Sequence, residues 1–141
     1  MISQLLVAWG LMALTVMIHA TGVSFALRRP RIVITRLWPR TRLFVRLAAF
    51  IIFLHLIEIA LWGAFYVWAG AMTELPSSLY FSAVTYTTTG YGDLVLPPNW
   101  RLVGAVEALT GILMCGWSTG FFFAVVQRMV AEERQPIGDH I

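Results

Sequence analysis

Between two hydrophobic segments the chain carries SAVTYTTTGYGDLVLP, residues 82–97. Hydroxyls, glycines and a single carboxylate at this density offer oxygen atoms, not a nucleophile paired with a base. Gly90 and Gly92 let the backbone take conformations that other residues resist. Successive carbonyls can then turn the same way, toward an axis, and several copies of such a strand around one axis make rings of oxygen. Such rings can replace the water shell of a dehydrated cation. The run leading into them opens at Pro76, a residue welcome in the first turn of a helix. At about 12 residues it is too short to span a bilayer and suits a re-entrant half-helix. A helix C-terminus has unpaired carbonyls and partial negative charge, so this one favours a cation in front of it.

A loop at membrane depth must be buried in protein or line a water-filled path, because unpaired backbone groups cost several kcal/mol each in lipid. The elements around residues 82–97 therefore decide its meaning. The chain has 141 residues, 59% hydrophobic and 12% charged, against about 25% charged for a soluble domain. A soluble protein this small cannot hide so much apolar surface, so lipid is the expected solvent and one domain the expected unit. The single cysteine, Cys115, excludes an intramolecular disulfide and a Cys-based zinc site. No nucleophile–base constellation or metal-ligand cluster stands out, so no enzyme activity is expected. All ten basic residues are arginines, and seven lie between Arg28 and Arg46. Flanked by apolar spans, this block reads as a cytoplasmic segment meeting anionic lipid headgroups, with no nucleic acid partner.

Residues 1–27 carry no charge and are long enough to cross the membrane. Their arginines follow the apolar run instead of preceding it, which favours a retained helix over a cleaved signal peptide. Residues 28–46 form an Arg-rich cytoplasmic or interfacial segment in which Pro30 and Pro39 are expected to break any continuous helix. Its arginines do not recur at every third position, which speaks against a voltage-sensing helix. Residues 47–71 make a second span, 76–87 the half-helix, 88–93 the polar strand, 100–130 the last span and 131–141 a short cytoplasmic tail. Arginine placement puts the N-terminus outside and the C-terminus in the cytoplasm. The expected fold is an all-α, multi-pass protein of the cell (inner) membrane, with three transmembrane helices plus a re-entrant helix and loop.

The run TTTGYGD, Thr87 to Asp93, after a short helix and before a glycine-containing one, resembles the signature filter of tetrameric potassium channels. The resemblance covers roughly residues 47–128: outer helix, pore helix, filter and inner helix. It implies a homotetramer in which the carbonyls of Thr88, Thr89, Gly90 and Tyr91 line sites for permeant K+, with the Thr88 hydroxyl closing the innermost. It also implies that Gly92 and Asp93 support the filter, that the Tyr91 ring braces it, and that Asp93 is tethered at the outer mouth by Tyr80. Two departures stand out. Thr89 replaces the family's usual Val or Ile, so a hydroxyl either adds a hydrogen bond behind the filter or loosens the packing. Val84 stands where some members carry a pore-helix glutamate, so their inactivation behaviour does not carry over.

In the last span, Gly111 stands at the spacing of the family's inner-helix hinge. At about 100° per residue, Ile112, Cys115, Thr119 and Phe123 share a face expected to line the cavity. Phe123 is the expected hydrophobic gate, against the alternative that residues 121–123 only pack. Gly116 and Gly120 suit close helix packing. Glu107 points away from the cavity face and is expected to bond to the pore helix at Ser82 or Thr85, against the alternative of a gating or proton-sensing role. His55 and Glu58 are three apart on one face, and His19 lies at the depth of His55. A contact between the first two spans follows, either as interhelical glue or as a pH-responsive cluster. The function read from all this is passive, potassium-selective conduction. The alternatives are a weakly selective cation channel or a regulatory membrane subunit retaining the pore fold; one intact filter argues against an ion-coupled uptake system. The gating stimulus, and any separate gating partner, are not legible.

Overall fold

The computed structural model describes residues 2–27 and 37–134. Four α-helices follow in order: α1 (Ile2–Leu27), α2 (Leu37–Trp68), α3 (Leu75–Tyr86) and α4 (Arg101–Arg134), with a 3-10 turn at Pro98–Trp100 ahead of α4. No strand occurs among the described residues. Helices α1, α2 and α4 are each long and apolar enough to cross a membrane. The 12 residues of α3 rise only about 18 Å, little more than half of a hydrocarbon core of about 30 Å. The chain is an all-α membrane protein with three spans and one half-helix.

One expectation about local structure is corrected. Pro39 does not break the chain's helix: α2 begins at Leu37, ten residues ahead of the expected 47, and runs unbroken to Trp68. Pro39 is its third residue, in the first turn, where a backbone N–H has no partner within the helix, so a residue without one costs nothing there. Arg40, Arg42 and Arg46 are thereby carried on the helix itself. Arg28, Arg29, Pro30, Arg31 and Arg36 lie outside the described residues. The half-helix starts at Leu75 with Pro76 in its first turn, and the last helix runs on to Arg134, past the expected 130.

Each long helix buries one stripe. On α1 it is Ala8, Thr15, His19 and Val23; on α4 it is Val103, Glu107, Thr110, Met114, Ser118 and Phe121. Steps of three, four or seven residues put each set on one helical face. Apolar packing divides into two clusters. Near the short helix, Ile59, Trp62 and Tyr66 of α2 meet Ala8 of α1, Phe81 and Tyr86 of α3, and Val103 and Met114 of α4. At the other end, Val23 of α1, Ile51 and Leu54 of α2 and Phe121 of α4 close a smaller one. The C-terminal part of α1, the middle of α2 and the C-terminal half of α4 thus lie together, and α1 runs against both its neighbours. The Trp62 Nε1–H donates to Thr15 Oγ1 at 3.0 Å, fixing the height of α1 on α2.

Candidate functional site

The half-helix is fastened to α2 by hydroxyls. Ser78 donates to the Gly63 carbonyl at 2.7 Å and Ser82 to the Ile59 carbonyl at 2.8 Å. Both pairs are four residues apart on their own helices, so two helix faces meet along matched turns. On the other side, α4 passes so close that a Cβ on Gly111 would overlap the Tyr86 carbonyl. Helix α4 continues without interruption through that position. Gly111 thus admits the end of α3 against α4.

Beyond Tyr86 the backbone leaves the helix in a specific way. Thr87 N–H donates to Ala83, Thr88 N–H to Thr85 and Gly90 N–H to Val84, all to carbonyls of α3. Thr88, Gly90 and Gly92 have φ of 60°, 52° and 78°, and no other non-glycine described residue has positive φ. Handedness therefore alternates from Thr88 to Gly92, with glycine at two of the three left-handed positions. Among the described residues no donor bonds the carbonyls of Thr88, Thr89, Gly90 or Tyr91.

Side chains hold this strand from behind. The Tyr80 hydroxyl donates to Asp93 Oδ2 at 2.7 Å. That bond raises the Tyr80 phenol above its ordinary range. The question left open for Thr89 is answered: its hydroxyl lies 3.0 Å from that of Thr87, which donates onward to the Ala83 carbonyl at 2.7 Å. Tyr91 is 72% exposed, and among the described residues no hydrogen bond or ring contact holds its side chain.

Glu107 is fully buried. Of the two hydroxyls expected to reach it, Ser82 does, at 2.5 Å from Oε1, and Tyr66 donates to Oε2 at 2.7 Å. One carboxylate thus joins the outer, short and last helices. The opposite face of α4 is open: Ile112, Cys115, Thr119 and Phe123 are all exposed, as are Gly116 and Gly120, which no neighbouring atom approaches within 4 Å. The three phenylalanines divide by direction, with Phe121 buried, Phe122 partly buried and Phe123 64% exposed.

The contact expected between the first two spans is present and larger than expected. His19 Nδ1 lies 2.9 Å from Glu58 Oε1, and His55 Nδ1 lies 3.3 Å from Glu58 Oε2. Tyr86 at the end of α3 donates to Glu58 Oε2 and lies 3.1 Å from His55 Nδ1. Ser118 of α4 bridges the far nitrogens, 3.1 Å from His55 Nε2 and 3.2 Å from His19 Nε2. Reading the sequence missed Tyr86 and Ser118. Tyr86 is four residues beyond Ser82 on the same face of α3, and Ser118 falls on the 107–110–114 stripe of α4, so both spacings carried a signal. The ligand atoms of His19, His55 and Glu58 lie within 4.8 Å of one another, close enough to hold a metal ion. The sequence suggested these three as a polar contact, not as metal ligands.

Comparison with known proteins agrees with this geometry. A family model described as "Ion channel" matches residues 43–128, about three-fifths of the chain. The chain belongs to this ion channel family. Part of the channel is also 50% identical, over 42 residues, to the potassium voltage-gated channel protein shk-1 of Caenorhabditis elegans. That match covers 29% of this chain and only 8% of the relative's length. No solved structure matches. The recognition made from Thr87 to Asp93 therefore stands at the level of a potassium channel pore family. Helix α1 lies outside the matched segment of the channel.

Proposed function

We propose that the channel conducts K+ passively and selectively through a homotetramer in which Thr88–Asp93 forms the filter. The observation that carries this reading is the alternation of φ from Thr88 to Gly92 together with the four carbonyls that no donor among the described residues engages. A strand of that form gives up its own hydrogen bonding, which at membrane depth is affordable only where something else binds the oxygens. A desolvated cation does so, and rings of four carbonyls from four copies surround it. One chain supplies a quarter of each ring. The open α4 face of Ile112, Cys115, Thr119 and Phe123 supports a water-filled cavity below the filter, with Phe123 at its narrowing. The polar bonds of Glu107, and the close approach at Gly111, favour structural roles for both.

The proposed units are an N-terminal helix to residue 27, an Arg-rich segment at 28–46, a pore domain at 47–130 and a short tail. The proposed orientation in the cell (inner) membrane has the N-terminus outside and the arginines facing cytoplasmic anionic headgroups. Bi-ionic reversal potentials of purified protein in planar bilayers test the proposal. Reversal near the potassium equilibrium potential, abolished by Gly90→Asp, is the expected result. Current that reverses near zero, with sodium as permeant as potassium, overturns K+ selectivity and leaves a general cation pore.

A further inference from the structure

Inside the helix packing lies a group of donors drawn from two helices and supported by two more. His19 on α1 and His55 and Glu58 on α2 each offer a ligand atom within 4.8 Å of the other two. His19 and Glu58 are fully buried, while the His55 side chain is 16% exposed and keeps the group open to one side. An imidazole nitrogen faces each carboxylate oxygen: His19 Nδ1 lies 2.9 Å from Oε1, and His55 Nδ1 lies 3.3 Å from Oε2. We propose that these three side chains bind a divalent transition-metal ion of the Zn2+ class, which staples α1 to the pore helices.

Charge favours such an ion. A carboxylate at membrane depth is costly without a counter-charge. A phenol and two neutral imidazoles give Glu58 hydrogen bonds but no positive charge, whereas a divalent cation supplies it. Spacing agrees. With donors about 2.0–2.1 Å from the ion, neighbouring donors stand about 3.3 Å apart in a tetrahedron and about 2.9 Å apart in an octahedron. The two nitrogen–oxygen edges, at 2.9 Å and 3.3 Å, already have those lengths. A hydrogen bond has similar lengths, so the far side of the rings carries more weight. Both Nε2 atoms face one oxygen, Ser118 Oγ, at 3.1 Å from His55 and 3.2 Å from His19. With an ion on the Nδ1 side, each Nε2–H donates to a lone pair of that oxygen. Metal-bound imidazoles are oriented in this way, through the nitrogen turned away from the ion. The Tyr86 hydroxyl donates to Glu58 Oε2 and lies 3.1 Å from His55 Nδ1, which places a further oxygen beside the site.

The pair of nitrogens sets the class of ion. Mg2+ and Ca2+ take oxygen ligands, whereas imidazole suits Zn2+ and its first-row neighbours. Zn2+ imposes no geometry of its own, which fits donors whose places are dictated by helix packing. Bound there, the ion joins α1 to α2 directly and reaches α3 and α4 through Tyr86 and Ser118. The site uses no filter residue, and its occupancy is read without conduction, so it stands or falls apart from the K+ pore.

The full chain in detergent, without an added polyhistidine tag, is titrated with Zn2+ or with Mg2+ by calorimetry, and its thermal midpoint is recorded. One Zn2+ per chain is expected, with a midpoint that rises on binding because the donors do not stand together in the unfolded chain. Mg2+ is expected to do neither. Glu58→Gln and His55→Gln should each weaken Zn2+ binding by more than about a hundredfold. Ser118→Ala should weaken it by about ten- to a hundredfold, the usual cost of losing a group that orients a ligand. His140→Gln, which removes the third histidine of the chain, should leave it unchanged. X-ray absorption of the Zn2+-loaded wild type reads the donors directly, whether or not a variant folds, and nitrogen and oxygen alone are expected. Sulfur among the donors puts the ion on Cys115 and overturns the site, as does loss of binding in His140→Gln. Absence of stoichiometric Zn2+ binding, an equal response to Mg2+, or unchanged affinity in Glu58→Gln and His55→Gln also overturns it and leaves a hydrogen-bonded contact between helices.

Discussion

Tyr80 and Asp93 form the most exposed of the bonds that hold the strand, and their response to pH has a definite sign. The phenol is raised chiefly by donating to Asp93. A group whose folded pKa lies above its unfolded value stabilises the fold fully below the unfolded value, about 10 for tyrosine, and loses that contribution as pH rises through the folded value. The difference in thermal midpoint between wild type and Tyr80→Phe is therefore expected to shrink as pH rises above about 10. A difference that holds or grows there contradicts the assignment of Tyr80 as donor. At this scale the sequence was generous where spacing along one helix settled direction. The angle of Glu107 from the cavity face pointed to the pore helix, at Ser82 or Thr85. It was silent where the partner came from another helix: nothing in the order of residues says that Ser118 stands 3.1 Å from His55, 63 positions away.

Glycine at position 111 admits two accounts with opposite consequences for α4. As a hinge, it is there for flexibility, and alanine would stiffen the helix and stabilise it by up to about 1 kcal/mol. As a contact, it is there because Tyr86 leaves no room, and alanine must push two helices apart at about 1–3 kcal/mol. The overlap with the Tyr86 carbonyl selects the second account, so Gly111→Ala is expected to lower the unfolding free energy of purified protein in detergent. Gly116→Ala and Gly120→Ala meet nothing among the described residues and are expected to raise it. A loss at 116 or 120 would instead report contact between copies. The elements themselves were largely legible: three apolar runs and a half-helix are marked by length, charge and proline. Pro39 misled because a proline weighs differently in a first turn than in a helix interior, and the sequence does not announce where α2 starts.

The open face of α4 bears on the proposed assembly, since the described residues of a single chain leave Ile112, Cys115, Thr119 and Phe123 exposed. Cys115 is the chain's sole cysteine, which makes the arrangement measurable without engineering. In a tetramer with that face on the axis, a cationic thiol reagent applied from the C-terminal side of an open channel is expected to cut K+ current at least about tenfold, by placing up to four fixed charges in the ion path. Cys115→Ser should be indifferent to it. Unchanged current after verified modification turns the face toward lipid and removes Phe123 as the gate. The expectation of a tetramer came only from the family resemblance, because no residue in one chain records how many copies surround an axis.

The family match begins at residue 43, yet α1 ends at Leu27 and supplies two groups on which the matched part depends. Without Thr15 the Trp62 N–H loses its acceptor, and without His19 the buried Glu58 keeps only its partners from α2 and α3. The segment shared by inheritance and the segment that folds as one body are thus of different lengths. A pore transplanted at the inherited boundary would arrive with its polar seams unclosed, whereas one cut ahead of α1 carries its own seal.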